Sequence, residues 1–272
     1  MPELPEVETI VRQIRPAVVG RRIERARLRH HDVLRDVSGR ALERGLAGAR
    51  VTGLERRAKH AVFRLDRGTR FVIQPGMTGA MHVVRNGERD RYAVLRLDLD
   101  DGRTLLYRDV RRFGTLLLLD AGAWRRYDAA LGPEPLAPDF SAQDLARALG
   151  RSRQPVKKAL MDQKLLAGVG NIYANEALFE AGLDPSKPAA DLAPAAWGRL
   201  NRALRRILRA AIRSQGSTIR DYRTGTGESG GFQLRFKVYE REGEPCPHCG
   251  TTLTGTHAID ARITVFCHRC QR

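Results

Sequence analysis

All four cysteines of this 272-residue chain stand in two pairs near its end, Cys246-Pro-His-Cys249 and Cys267-His-Arg-Cys270, seventeen residues apart. Each C-x2-C pair bends into a knuckle whose two thiolates reach one ion, and two knuckles complete a closed tetrahedral Zn²⁺ site. The C-terminal segment is therefore expected to fold around one zinc ion rather than around an apolar core. Four sulfur ligands leave no position for a substrate, so the expected role of the metal is structural. His248 and His268, inside the knuckles, face solvent on this reading. Four incidental thiols are the plainer alternative, and the paired spacing argues against it.

Charge narrows the partner. Lys and Arg number 48 against 31 Asp and Glu, a net charge of +17. The arginine fork suits phosphate, and a surface this basic points to a polyanion, with nucleic acid ahead of membrane. The longest purely aliphatic run, Leu116 to Leu119, is far too short to span a bilayer. Glu3, Glu6 and Glu8 stand where a secretory signal needs basic and then apolar residues. The reading is a cytoplasmic protein with reduced or metal-bound thiols and no membrane association. Nothing in the chain suggests an oligomer, so a monomer is expected.

From about residue 21 to 120 the pattern is that of strands. Arg50 to Leu54, Ala61 to Leu65, Arg70 to Gln74 and Ala93 to Leu99 cluster or alternate apolar residues. Turn signals separate them at Asp66-Arg67-Gly68, Asn86-Gly87 and Asp101-Gly102. Such spacing suggests an antiparallel sandwich or barrel. Gly132-Pro-Glu-Pro-Leu-Ala-Pro138 reads as a linker. Beyond it the period becomes helical. Ser141 with Asp144 forms a capping box for a helix that stops at Gly150. Further helices are expected from Pro155 to Leu166, from Ile172 to Ala181 with Asn171 as cap, and from about Ala195 to Ser214.

The N-terminus reads Met-Pro-Glu-Leu-Pro-Glu-Val-Glu. Removal of Met1 would give Pro2 a free secondary amine, a carbonyl-seeking nucleophile, with the carboxylates of Glu3 and Glu6 within one helical turn to move protons. The same residues also make an ordinary helix start: proline suits the first helical position and acids complement the dipole. Val7, Ile10, Val11 and Ile14 then repeat at helical spacing. A helix N-terminus would help keep the Pro2 amine neutral.

Taken in order along the chain, these residues resemble one family, the formamidopyrimidine-DNA glycosylases, also called 8-oxoguanine DNA glycosylases. The similarity covers PELPEVET at Pro2 to Thr9, RRAKH around Lys59, QPGMTG around Met77 and RDVRRFG at Arg108 to Gly114. It continues through LAGVGNIYANEALF at Leu166 to Phe179 and FQLRFKVYEREGEPC, ending with CHRCQ. The resemblance implies an α+β multidomain fold: an N-terminal helix with an antiparallel β-sandwich, then a helix–two-turn–helix domain with a C-terminal zinc finger. Expected segments are a catalytic domain over 1–132, a DNA-binding helical domain over 133–220, and a lesion-loop region with the four-cysteine zinc finger over 221–272.

The resemblance also implies the chemistry. Pro2 attacks C1′ of an oxidised purine nucleotide and expels the base through a Schiff base. β- and δ-elimination then cut the strand on both sides. Glu3 shuttles protons, Glu6 supports it and Lys59 clamps a phosphate near the lesion. The base must leave the stack, and Met77, Arg111 and Phe113 match the family's wedge that fills the gap. Read alone, Met77 and Phe113 would be core residues. Asn171, beside the Gly168-Val-Gly170 turn, and Arg262 would grip the backbone of double-stranded DNA carrying oxidised bases or abasic sites.

Three departures stand out: Val110 where the family usually has proline, Ala261 where it often has glycine, and a glycine-rich Thr224 to Gly231 that matches the lesion-covering loop only loosely. One rival reading is the endonuclease VIII type, which removes oxidised pyrimidines from the same fold. The Leu-Pro after Glu3 and the complete RRFG element favour the purine branch. The other rival is a non-catalytic DNA-binding protein using its zinc ribbon alone.

Overall fold

The computed structural model describes residues 1–272 except Asn86, Arg89, Arg220 and Asp221. The Asn86-Gly87 turn expected from sequence therefore lies partly outside the described residues. Two compact units emerge, one built from 1–129 with 214–231 and the other from 130–213 with 232–272.

The first unit opens with helix α1 (Leu4–Val18), whose Val7, Ile10, Val11 and Ile14 are buried as the helical spacing requires. Strand β1 (Ile23–Leu28) and a short helix α2 (Gly39–Leu46) follow. Then come β2 (Val51–Arg57), β3 (His60–Leu65), β4 (Arg70–Gln74) and β5 (Gly79–Arg85). β6 (Ala93–Leu99), β7 (Arg103–Asp109) and β8 (Thr115–Leu119) complete the strands, and α3 (Ala121–Ala129) closes the segment. The strands form two antiparallel four-stranded sheets, ordered β1-β6-β7-β5 and β2-β3-β4-β8. Between them a single core joins Leu54, Phe63, Phe71 and Ile73 of one sheet to Met81, Leu95, Leu97 and Tyr107 of the other, with the apolar face of α1. The expected sandwich is present. On the outer face of the second sheet, Val62, Val72, Leu117 and Leu119 pack against Trp124 and Tyr127 of α3.

The second unit contains α4 (Ala142–Leu149), α5 (Val156–Met161), α6 (Asn171–Ala181) and α7 (Pro194–Arg213), then the hairpin β9 (Thr254–Thr256) and β10 (Thr264–Phe266). The Ser141–Asp144 capping box forms as expected, and Gly182 ends α6 in the left-handed region at φ 66°. Two expectations are corrected. α5 stops at Met161 instead of Leu166, because Asp162 turns extended. The segment after it is then held by Gln163, which donates to the Met161 and Val169 carbonyls and accepts from Gly168 N–H at 2.8 Å. Asn171 does not cap α6. Gly170 takes that place, and Asn171 is the first helical residue.

The expected division at 132, 133–220 and 221–272 differs from the observed one. Residues 214–231 pack with the N-terminal unit, where Tyr222 enters the sandwich core and Gly225 N–H donates to Gln13 Oε1 at 2.6 Å. The boundary expected at 220/221 itself lies outside the described residues. No helix among the described residues is long and apolar enough to cross a membrane.

Candidate active site and nucleic-acid interface

In the first unit the candidate chemistry begins where the chain enters α1. Pro2 is buried, as are Glu3 and Glu6, while Met1 is exposed. Pro5 lies in the first turn, where its missing N–H leaves no bond unmade. Glu3 holds the N-cap position, and its backbone N–H donates to Glu6 Oε2 at 2.9 Å. The other oxygen of Glu6 accepts Ser217 N–H at 2.8 Å. One carboxylate therefore ties the residue after Pro2 to the returning 214–231 segment. Tyr222 donates its hydroxyl to the Glu6 carbonyl at 3.2 Å, and burial followed by the Glu6 charge pushes that phenol above its usual range. Gly216, at φ 81°, lets the segment pass close by: a Cβ there would sit 3.0 Å from the Glu6 side chain.

Lys59 lies in the tight turn joining β2 to β3, where Ala58 adopts φ 53°, and it is almost fully buried. Arg56, near the end of β2, pairs with Glu8 of α1 at 3.0 Å. Burial alone would raise the Glu8 pKa, but the guanidinium groups of Arg56 and Arg12 outweigh it and hold the carboxyl below its ordinary value. Arg15 adds a second tie, donating to the Leu54 carbonyl at 2.8 Å. The helix carrying Pro2, Glu3 and Glu6 is thus fastened to the strand that leads into Lys59.

Strand register brings Met77 together with Arg111 and Phe113. Gln74 pairs with Thr115, and Gly79 pairs with Asp109. The connections 75–78 and 110–114 must therefore run side by side from one sheet to the other. Met77 and Phe113 are 45% and 59% exposed, so the core reading of both is overturned. Arg111 lies between them, its guanidinium 4.5 Å from the Phe113 ring centre and one nitrogen 3.5 Å from Met77 Sδ. An apolar group, a flat ring and a cationic fork therefore stand exposed as one cluster.

Beneath this cluster lies a residue the sequence reading missed. Asp109 is buried and accepts the Thr78 hydroxyl on Oδ1 and Gly114 N–H at 2.8 Å and the Tyr107 hydroxyl at 3.1 Å on Oδ2. Thr78 Oγ1 in turn accepts Arg111 N–H at 2.9 Å. Gly76 and Gly114 permit the close approach, since a Cβ on Gly114 would lie 1.9 Å from the Tyr107 oxygen. The RDVRRFG string holds this aspartate, but only its exposed members carried an obvious role in sequence.

In the second unit, Asn171 donates from Nδ2 to the Ile263 carbonyl at 3.2 Å. Asn175 Oδ1 accepts Val265 N–H at 2.8 Å. Fully buried Lys157 of α5 donates to the carbonyls of Arg262 and Ile263 and to the Thr264 hydroxyl at 3.3, 3.0 and 2.7 Å. Arg262 itself is exposed between β9 and β10. In the Gly168-Val-Gly170 turn beside Asn171, the Gly168 amide is bonded to Gln163 Oε1 at 2.8 Å. Lys157 and Asn175 escaped the sequence reading because nothing local marks a helix residue as the seat for a distant hairpin.

The four cysteine sulfurs lie within 4.8 Å of one another. Cys246 to Cys270 and Cys249 to Cys267 measure 3.9 and 3.5 Å, close to the ~3.8 Å edge of a tetrahedron built on ~2.3 Å zinc–sulfur bonds. An all-thiolate donor set of this geometry fits a structural metal ion. His248 is exposed, its ring tilted against that of Phe179 with centres 4.6 Å apart, outside the ligand set.

Comparison with known proteins agrees with this geometry. The family profile of the formamidopyrimidine-DNA glycosylase N-terminal domain matches residues 1–116, and that of the formamidopyrimidine-DNA glycosylase H2TH domain matches 131–223. The formamidopyrimidine-DNA glycosylase of Chloroflexus aurantiacus is 42% identical over all of this chain and 98% of its own. The crystal structure of the Fpg (MutM) protein of Thermus thermophilus superposes with a TM-score of 0.87 at 41% identity, covering 99% of this chain and 98% of that one. Wild-type Lactococcus lactis Fpg bound to DNA containing N7-benzyl-Fapy-dG superposes at 0.90 with 31% identity over the whole of both chains. The same Lactococcus lactis protein has been captured with abasic-site DNA and with oxidised-pyrimidine DNA. This chain belongs to the formamidopyrimidine-DNA glycosylase family.

Proposed function

We propose that this protein is a bifunctional DNA glycosylase and abasic-site lyase that excises oxidised purines, 8-oxoguanine and formamidopyrimidines, from double-stranded DNA in the cytoplasm. The observation that carries the reading is the start of α1, where Pro2, Glu3 and Glu6 are buried together and Glu6 bonds the Glu3 and Ser217 amides. With Met1 removed, Pro2 presents a secondary amine, and the helix N-terminus disfavours its protonation.

That amine attacks C1′ of an extruded nucleotide. A nitrogen–carbon bond forms, the glycosidic bond breaks, and the base leaves with its electron pair. Opening of the sugar ring, with a proton passed to O4′ from Glu3, leaves an iminium ion on Pro2. The iminium acidifies C2′, so loss of that proton expels the 3′ phosphate. A second elimination expels the 5′ phosphate and leaves a one-nucleotide gap. Glu6 positions Glu3 through its backbone, and Lys59 holds a phosphate next to the lesion.

Met77, Arg111 and Phe113 fill the vacated stack: methionine supplies apolar volume, phenylalanine unstacks a step and arginine addresses the orphaned base. Asn171 and Arg262 grip the backbone. Cys246, Cys249, Cys267 and Cys270 hold one zinc ion, which supplies a cross-link beneath the Arg262 hairpin.

Borohydride reduction on a duplex carrying 8-oxoguanine opposite cytosine tests the reading. Mass spectrometry should place the trapped sugar on the Pro2 nitrogen. Intact binding without a trapped species would leave a DNA-binding protein only. Release of thymine glycol but not 8-oxoguanine would assign the pyrimidine branch.

A further inference from the structure

α7 carries six arginines, Arg199, Arg202, Arg205, Arg206, Arg209 and Arg213, and no acidic residue. At about 100° per residue, positions 202, 206, 209 and 213 fall within roughly 60° of one another around the helix axis. Their line along the helix is roughly 16 Å long at ~1.5 Å per residue. The opposite face, with Leu200, Leu204, Leu208 and Ala211, is buried. Like charges three and four residues apart destabilise a helix, so packing of the apolar face must offset this repulsion.

Three of the six have structural partners. Arg205 donates to the carbonyls of Pro135, Ala137 and Phe140 at 2.8 to 3.0 Å, and Arg206 pairs with Glu180. Arg199 bonds the Ala181 carbonyl at 3.2 Å. Arg202, Arg209 and Arg213 are exposed and make no hydrogen bond or ion pair with described residues. These arginines line a concavity together with Asn201, nine-tenths buried, whose Oδ1 has no partner among the described residues.

We propose that this face of α7 is a second phosphate-binding surface, which holds the backbone of duplex DNA apart from the Lys59, Asn171 and Arg262 contacts. The proposal rests on the DNA-repair reading for its ligand. A straight row of guanidinium groups matches an extended polyanion, whose charges also repeat along a line, better than a compact anion. Planar forks bind phosphate oxygens bidentately and carry no base specificity. Such a surface would retain the enzyme on undamaged DNA while the lesion site is empty.

The test compares the full chain with R202Q/R209Q/R213Q on an undamaged 30-bp duplex over a salt series. Each phosphate contact contributes about 0.9 to the slope of log affinity against log salt, so the slope should fall by about 2 to 3. An unchanged slope overturns the proposal. Single-turnover excision from a saturated 8-oxoguanine duplex should be unaltered, which shows that the variant is folded. Should the variant not fold, phenylglyoxal footprinting of the unaltered chain decides. Protection of Arg202, Arg209 and Arg213 by duplex DNA supports the proposal, and unchanged reactivity, or protection by duplex RNA alone, overturns it. Borohydride trapping at Pro2 reads the lesion site independently, so failure of one reading is distinguishable from failure of the other.

Discussion

The hydroxyl of Thr78 donates to Asp109 Oδ1, and this one bond joins two chain segments that lie 31 residues apart in sequence. Because Asp109 also holds Gly114 N–H, the carboxylate fixes both ends of the connection that carries Arg111 and Phe113 against the one that carries Met77. Met77, Arg111 and Phe113 are exposed, yet the turns that carry them are bonded to a buried carboxylate.

Asp109→Asn replaces an acceptor oxygen with an NH2 that faces another donor. Stability should fall by about 1–3 kcal/mol. Excision under single-turnover conditions should fall roughly 10- to 100-fold, because Met77, Arg111 and Phe113 lose their placement. Fluorescence of 2-aminopurine opposite the lesion reports insertion directly and should lose its rise on binding. Wild-type insertion in this variant would refute the assigned role of the clamp.

Glu6→Gln should damage the N-terminus more than its near-identical shape suggests. Both oxygens of Glu6 accept backbone N–H groups, and an amide offers only one acceptor. A melting experiment should show a loss of about 1–3 kcal/mol. Borohydride trapping should fall as well, since Glu3 is placed through that bond. Trapping at the wild-type rate would show that Glu6 does not position the nucleophile.

His60 gives a pH signature. Burial, reinforced by the charges of Lys59, Arg57 and Arg56, lowers its pKa to about 4, although a hydrogen bond to Gln74 opposes the shift. In the unfolded chain the value is near 6.5. Above that pH the stabilising contribution is fully present. As pH falls from 6.5 to 4, the unfolded state takes up the proton first, and stability drops by about 1.4 kcal/mol per unit, to a total of about 3 kcal/mol. Urea titrations of wild type and His60→Gln at pH 7, 6, 5 and 4 should converge by that amount.

Lys157 and the cysteines should prove coupled. Lys157→Met leaves the Arg262 and Ile263 carbonyls without their charged donor and should cost about 2–3 kcal/mol. DNA affinity should fall although Lys157 itself is buried away from solvent. Metal analysis should find one zinc per chain, and chelation should lower both the melting temperature and the affinity. Full DNA affinity after metal removal would contradict the structural role of the site.

Much of this was legible in the residues. Apolar spacing marked α1, and alternation with turn signals located β2, β3, β4 and β6. The cysteine spacing marked the metal cluster, because each of these signals is local. What escaped depends on distant partners. Gln163 holds the segment after α5 by bonding Met161, Gly168 and Val169, which no helical period reveals. Asn171 looked like a cap because its type suits one, but its amide serves the Ile263 carbonyl instead. Met77 and Phe113 looked apolar enough for a core. Only strand register shows that they share an exposed edge.

The return of residues 214–231 to the first unit has a consequence for synthesis. The N-terminal unit cannot be completed when residue 129 leaves the ribosome, because Glu6, Gln13 and the sandwich core still await Ser217, Gly225 and Tyr222. At ~5–20 residues per second, about 5–20 s pass before residue 231 emerges. The end of the chain that is made first is therefore locked into place among the last. A nascent or truncated fragment ending at 129 should carry the Pro2 helix without the bonds that hold Glu6, which form only after residues 214–231 have been translated.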